Sequence, residues 1–267
     1  MKIFKKTPYY ENEKGFEPNI EPFLLEGKNN PCIIVCPGGG YEMLAEHERF
    51  NELFNSMGLS VFVLNYRLKP YHYPCQILDV QRAVKFVKYH ADEFGINPEK
   101  VLIAGSSAGG HLALSACCFA DEGNATGDEI DKLSSSVAGG ILCYPVVSLT
   151  EFTHQGSSDN FSGGNDEIRE KFSIQKSVHK DMPPLFVWHT LTDNAVDVNN
   201  VLSLASSCHE KGVKMELHIF PDGPHGMGVP DWHPYVARWT SLCKEWLKYN
   251  KFIENYCCRK ANQNWIY

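Results

Sequence analysis

Apolar and polar positions follow two rhythms along this chain. Cys32–Cys36, Ser60–Asn65, Val101–Ala104, Gly140–Tyr144, Leu185–His189 and Met215–Phe220 are short runs dominated by apolar residues and bounded by Gly, Pro, Asn or Asp. Runs of that kind predict strands. Between them lie longer amphipathic stretches, Glu46–Met57, Ile77–Phe94, Gly109–Ala120, Val198–Lys211 and Tyr235–Tyr249, which predict helices. In the second, Ile77, Val80, Val84, Val87 and Ala91 fall on one face of a helix with a 3.6-residue period. Strand and helix alternate, so the pattern predicts an α/β fold: a mostly parallel sheet with helices on both faces. Ile20–Leu25 is expected to add an edge strand. No internal repeat or linker divides the chain, which reads as a single domain over 1–267. The stretch from Ser148 to Pro184 is polar and longer than a minimal connection. It opens on the loop-like His154–Asp166, continues into a short helix, and reads as either a small lid or a surface excursion.

The most informative motif is Gly105-Ser106-Ser107-Ala108-Gly109, placed between a predicted strand and a predicted helix. A strand–turn–helix with Gly-x-Ser-x-Gly at the turn is a nucleophile elbow. The turn is so tight that side chains at 105 and 109 would clash, and Ser107 is held with its hydroxyl exposed above a helix N-terminus, which favours developing negative charge. Ser106 lies off the apex. Upstream, Pro37-Gly38-Gly39-Gly40-Tyr41 follows another strand. Three glycines let backbone N–H groups approach a ligand closely. A phosphate loop would need a following Lys-Ser or Lys-Thr, and a dinucleotide fingerprint would need GxGxxG; neither is present. An oxyanion hole fits better, built from the N–H groups of Gly39 and Gly40 with that of Ala108 just after the serine.

A serine hydroxyl needs a base, and the base needs an orienting group. On this type of scaffold the order is Ser, then Asp or Glu, then His. Asp193 follows the strand Leu185–His189, where ligands meet open parallel sheets. Asp197 is the alternative, but it reads as a cap of the next helix. His225 lies in a Gly-bounded loop after the last strand. His47 is not part of a zinc HExxH helix. His111 is expected to pack under the sheet, and His233 either borders the site or starts a helix.

Composition acts mainly by exclusion. The chain has 267 residues, 43% of them hydrophobic and 21% charged, with a formal net charge of −7. These values exclude a disordered chain, a collagen-like repeat and a disulfide mini-protein. The acidic balance argues against a general nucleic-acid binder. No run is long enough to span a membrane, and the lysine-bearing start has no apolar h-region, so a cytoplasmic location is expected. The 10 cysteines include no CxxC pair. They read as reduced, mostly core thiols with no metal site, including adjacent Cys257 and Cys258, which are given no role.

Taken together, PGGGY at 37–41, NYRLKP at 65–70, the Pro74–Asp79–Arg82-Ala83 spacing, INPEKVLIAGSSAGGHLAL at 96–114, MPPLFVWHTLTDNAVDV at 182–198 and FPDGPHG at 220–226 resemble the α/β-hydrolase superfamily. The chain is most similar to the small esterases grouped with acetylxylan esterases and the BD-FAE type, over about Asn30 to Leu247. The resemblance implies Ser107 as nucleophile, Asp193 as acid and His225 as base, with Gly39, Gly40 and Ala108 at the oxyanion hole. Two positions depart from the pattern: Pro37 stands where lipase-like relatives usually have His, and Asp197 stands where a proline usually follows the valine of the acid loop. Arg67 and Asp79 read as a structural ion pair.

The resemblance further implies an esterase that needs no cofactor, has little or no cap, and removes short acyl groups, particularly acetyl, from xylan-derived or similar oligosaccharides. Its partner is then a small-molecule or oligosaccharide ester, not nucleic acid or membrane, and the oligomeric state is open. Tyr41, Tyr71, Tyr73 and Trp232 are expected to line the pocket or stack on sugars. A general short-chain carboxylesterase, an amide hydrolase using the same residues, and a non-catalytic binding module on the same fold remain as alternatives.

Overall fold

The computed structural model describes residues 1–8, 16–124 and 126–254, so Cys257 and Cys258 lie outside the described residues. Seven strands form one sheet: β1 (Asn19–Phe23), β2 (Asn30–Cys36), β3 (Ser60–Asn65), β4 (Ile96–Ser106), β5 (Gly140–Cys143), β6 (Leu185–Thr190) and β7 (Met215–Phe220). Their spatial order is β1-β3-β2-β4-β5-β6-β7. Every pairing from β3 to β7 is parallel, and β1 joins β3 antiparallel at one edge. The helices are α1 (Glu48–Ser56), α2 (Cys75–Tyr89), α3 (Ala91–Phe94), α4 (Ser107–Cys118), α5 (Gln155–Ser162), α6 (Asp166–Lys171), α7 (Asn199–Lys211), α8 (Pro234–Ala237) and α9 (Trp239–Tyr249), with a 3₁₀ turn at Ile174–Lys176.

The inner strands β2 to β6 read as largely apolar runs because both of their faces are covered. Successive side chains of a strand alternate between faces. Cys32, Ile34 and Cys36 of β2 and Phe62 and Leu64 of β3 enter one core, with Val80 and Val84 of α2, Leu112 of α4 and Leu204 of α7. Ile33 and Val35 of β2 and Val61 and Val63 of β3 enter the other, with Phe54 of α1 and Trp239 and Trp246 of α9. The helix α4 lies against the sheet closely because it carries glycines at 109 and 110. A Cβ on Gly109 would stand 2.1 Å from the Cys36 carbonyl oxygen, and one on Gly110 would stand 2.8 Å from Pro145 Cβ.

Several boundaries differ from the sequence expectation. The strand β4 starts at Ile96, with a register shift between Asn30 and Cys32 on its neighbour. The expected Ile77–Phe94 helix breaks at His90, which ends α2 and precedes α3. The expected Tyr235–Tyr249 helix is two helices meeting at Arg238. The loop-like His154–Asp166 contains α5. Its Gly and Ser content disfavours a helix, but the His154 side chain caps its start, Gly163 ends it at φ 63°, and Phe161 is fully buried. Tertiary burial overrides local propensity there.

Two buried arginines are paired with carboxylates. Arg67 and Asp79, both fully buried, meet at 2.6 Å, and Arg67 also donates to the carbonyls of Pro8 and Cys75. Arg82 reaches Asp128 and Asp131 at 2.7 and 2.6 Å. The eight described cysteines are all buried. No helix among the described residues is long and apolar enough to cross a membrane.

Candidate active site

The end of β4 runs directly into α4 through Gly105, Ser106 and Ser107. Ser107 is held at φ 53°, in the left-handed region that non-glycine residues rarely adopt. A Cβ on Gly105 would stand 2.1 Å from the Gly109 carbonyl oxygen, so the turn closes only with glycine at 105. The segment after β5 braces this elbow: the Val146 N–H donates to the Ser107 carbonyl at 3.1 Å.

Three loops at the carboxyl ends of the strands bring the expected residues together. His225 Nε2 lies 2.9 Å from Ser107 Oγ, and His225 Nδ1 lies 2.7 Å from Asp193 Oδ2. The other carboxylate oxygen, Oδ1, accepts from the N–H groups of Ala195 and Val196 at 2.9 and 3.0 Å. Burial opposes ionisation of Asp193, but the bond from His225 and the two backbone donors outweigh it and hold the carboxyl below its ordinary value. An ionised carboxylate only accepts, so His225 Nδ1 carries a proton and Nε2 faces the serine as acceptor. Asp197 turns away: its carboxylate accepts from the Asn199 N–H at the start of α7.

The glycine loop lies beside the elbow, with Gly39 at φ 119° and Gly40 at φ 65°. A Cβ on Gly39 would stand 2.1 Å from the Met43 carbonyl oxygen. The Gly39 carbonyl accepts from Glu42 and Met43, the Gly38 carbonyl accepts from Ala45, and the Gly40 carbonyl accepts from the Asn160 side chain at 2.9 Å. These bonds fix the carbonyls, while the N–H groups of Gly39 and Gly40 donate to no described residue. The N–H of Ala108 is in the first turn of α4, where no intrahelical acceptor exists.

The aromatic residues expected at the pocket are placed differently. Tyr41 is fully buried and does not line the cleft. Its hydroxyl meets His111 Nδ1 at 2.7 Å, and His111 Nε2 meets the Phe172 carbonyl at 2.8 Å. A carbonyl only accepts, so Nε2 carries the proton and Nδ1 receives the tyrosine hydroxyl. Burial pushes the His111 imidazole down to about 4. Tyr71 is buried beside Arg67, and Tyr73 packs on Phe161 and Phe172. Trp232 is 62% exposed and outside the cleft wall. His233 caps α8 through its Nδ1.

The cleft over Ser107 has a volume of about 460 Å³ and is walled by the glycine loop, Met43, Phe50, Tyr144, His154 and His225. Sequence reasoning missed Tyr144 and His154. The Tyr144 ring stands edge-on to His225, centroids 5.1 Å apart, and its hydroxyl accepts from the Gly228 N–H at 3.0 Å. Its place at the carboxyl end of the strand next to the elbow was a usable signal. A larger hollow of about 620 Å³, around Lys28, Asn30, Gly58 and Lys100, includes neither Ser107 nor His225. Among the described residues no group of three or more His, Cys, Asp or Glu side chains is arranged to hold a metal ion.

Comparison with known proteins agrees with this architecture. The profile of the BD-FAE family matches residues 24–207. The chain is 34% identical, over 89% of its length, to an endo-1,4-beta-xylanase B of Butyrivibrio fibrisolvens, and 31% identical, over 85%, to an acetylxylan esterase of Xylanibacter ruminicola. It spans only 39% and 47% of the length of these two relatives. Among solved structures, an acetyl ester-xyloside bifunctional hydrolase from Caldicellulosiruptor lactoaceticus superposes with a TM-score of 0.92 at 38% identity, covering 95% of this chain and 97% of that one.

Proposed function

The chain belongs to the BD-FAE family and has the α/β-hydrolase fold, and from that premise we propose that it is a serine carboxylic-ester hydrolase that removes acetyl groups from xylo-oligosaccharides or similar acetylated sugars. The observation that carries this reading is the continuous hydrogen-bonded line from Ser107 through His225 to Asp193 at the floor of an open cleft. The acetylxylan esterase and the acetyl ester-xyloside hydrolase among its relatives support the choice of acyl group and alcohol.

In the proposed reaction Ser107 Oγ attacks the ester carbonyl carbon as its proton passes to His225 Nε2. Asp193 holds the imidazole in the required tautomer and stabilises its positive form. The carbonyl oxygen becomes an oxyanion against the N–H groups of Gly39, Gly40 and Ala108; in comparable sites the loss of one such donor raises the barrier by about 3–4 kcal/mol. The ester C–O bond then breaks and the alcohol leaves with the proton from His225. Water attacks the acyl-enzyme by the same route, giving the free acid and restoring Ser107.

The test is hydrolysis of p-nitrophenyl acetate, butyrate and octanoate, and of acetylated xylo-oligosaccharides, by the native chain and by Ser107→Ala. Preference for acetate, deacetylation of the oligosaccharides and a fall in kcat of at least about 1000-fold in the variant are expected. Activity confined to longer acyl chains overturns the acetyl assignment. Full activity in the variant, or no labelling of Ser107 by a fluorophosphonate, overturns the mechanism.

A further inference from the structure

The cleft contains a second imidazole that the proposed chemistry does not use. His154 stands at the start of α5, on the wall opposite the strand ends, and is half-buried. Its Nδ1 accepts from the Ser157 backbone N–H at 3.2 Å and lies 2.9 Å from the Ser157 hydroxyl. A backbone N–H only donates, so Nδ1 is the unprotonated nitrogen and the ring proton of the neutral form is on Nε2. Burial first, and nearby His225 second, push the imidazole below its ordinary value and keep it neutral. Nε2 has no hydrogen-bond partner among the described residues, although the ring overhangs the glycine loop: Cε1 lies 3.9 Å from where a Cβ on Gly40 would stand. The orientation is held firmly, because α5 is tied to the same loop by Asn160, which donates to the Gly40 carbonyl at 2.9 Å. The cap on α5 and the donor in the cleft are therefore the two ends of one ring.

We propose that His154 is a specificity-determining residue whose Nε2–H donates to a hydroxyl or ring oxygen of the alcohol part of the ester, and so selects polyhydroxylated alcohols over aryl or alkyl ones. The inference rests on Ser107 and His225 being the ester-cleaving pair. Nδ1 is committed to the helix, so the ring cannot shuttle a proton through both nitrogens without breaking the cap. Its role is recognition. A sugar presents acceptor oxygens beside its ester, whereas the ring of p-nitrophenyl acetate presents none at the corresponding place.

Two substitutions separate the two ends of the ring. His154→Asn retains an oxygen where Nδ1 accepts, and asparagine is a good helix N-cap, but it has no donor at the Nε2 position. His154→Gln places an amide N–H near that position and forfeits the cap. In the native chain and both variants, kcat/KM is measured for acetylated xylo-oligosaccharide and for p-nitrophenyl acetate, with urea midpoints for stability. His154→Asn is expected to keep its midpoint and its aryl-ester rate but to lose about tenfold in oligosaccharide kcat/KM, as deletion of one hydrogen bond predicts. His154→Gln is expected to unfold at lower urea yet keep the oligosaccharide-to-aryl ratio near the native one. If the ratio follows the cap instead, preserved in Asn and lost in Gln, the proposal is overturned. Equal losses on both substrates in His154→Asn also overturn it, since they place the ring at the reacting ester. An unchanged oligosaccharide rate overturns it as well. Loss of all turnover in Ser107→Ala with these outcomes intact separates the recognition role from the nucleophile assignment.

Discussion

A single buried imidazole links the glycine loop to the helix that begins at Ser107. Tyr41 follows Gly40 directly, His111 lies one turn below Ser107, and the two side chains meet at 2.7 Å deep in the core. The folded chain keeps His111 neutral down to about 4, whereas an unfolded chain protonates it near 6.5. Between those values the unfolded state binds more protons, so stability rises with pH across that window and falls on acidification. The full effect is roughly 3 kcal/mol. The Asp193 carboxyl is held below its ordinary range and acts only at lower pH. His154 and His189 are also pushed down, with the same sign. His111→Asn should therefore flatten, but not abolish, the dependence of the urea midpoint on pH between about 4 and 6.5. An unchanged slope would show that His111 does not titrate in this way. The network was not legible in the sequence: Tyr41 and His111 are 70 positions apart, and only the fold brings them together. Gly105 was legible, because it answers a local clash with the Gly109 carbonyl; Gly109 was legible through the motif alone, since the clash it avoids is with the Cys36 carbonyl at the end of β2.

At the level of elements, the sequence pattern predicted β3 and β7 to their ends: β3 is buried and nearly unbroken in its apolar run, whereas the edge strand β7 alternates Met215, Leu217 and Ile219 with Glu216 and His218. The helix α5 escaped detection because its Gly, Ser and Asn residues favour turns, and its stability comes from the burial of Phe161 and from the caps at His154 and Gly163. That helix serves the site directly. Asn160 donates to the Gly40 carbonyl, His72 meets the Asn160 carbonyl at 2.7 Å, and the Tyr73 N–H donates to the Phe161 carbonyl at 2.7 Å. The 148–184 segment is thus bound to the glycine loop through Asn160 and to His72 and Tyr73 at two further points, and we read it as a fixed wall of the cleft. Removing one tie should disturb the loop more than the fold. Asn160→Ala is expected to lower stability by about 1 kcal/mol. It should also lower kcat on sugar and aryl esters alike, by about tenfold, with little change in KM, because the donors of Gly39 and Gly40 are then less well aimed. A change in KM alone would argue that Asn160 meets substrate instead.

Across the whole molecule, one sheet separates two cores, and the chemistry stands where β2, β4, β5, β6 and β7 release their chains into loops. The same sheet ends in two edge strands, β1, whose first residues are met by Met1 and Lys2, and β7 on the other side. An open margin is a row of unsatisfied backbone groups onto which another chain can add. Here each margin is made inhospitable by its own residues. Pro22 in β1 has no N–H to offer, and Glu21 beside it is exposed. In β7, Glu216 and His218 pair with each other at 2.8 Å, so an incoming strand would meet polar side chains. The protein should therefore remain dispersed at high concentration, and replacing both guards, Pro22→Val with Glu216→Val, should bring light scattering and thioflavin binding on agitation while the native chain stays clear. Resistance to strand-by-strand aggregation is thus a property of two edge residues far along the sheet from the cleft, and it can be altered without touching Ser107, Asp193 or His225.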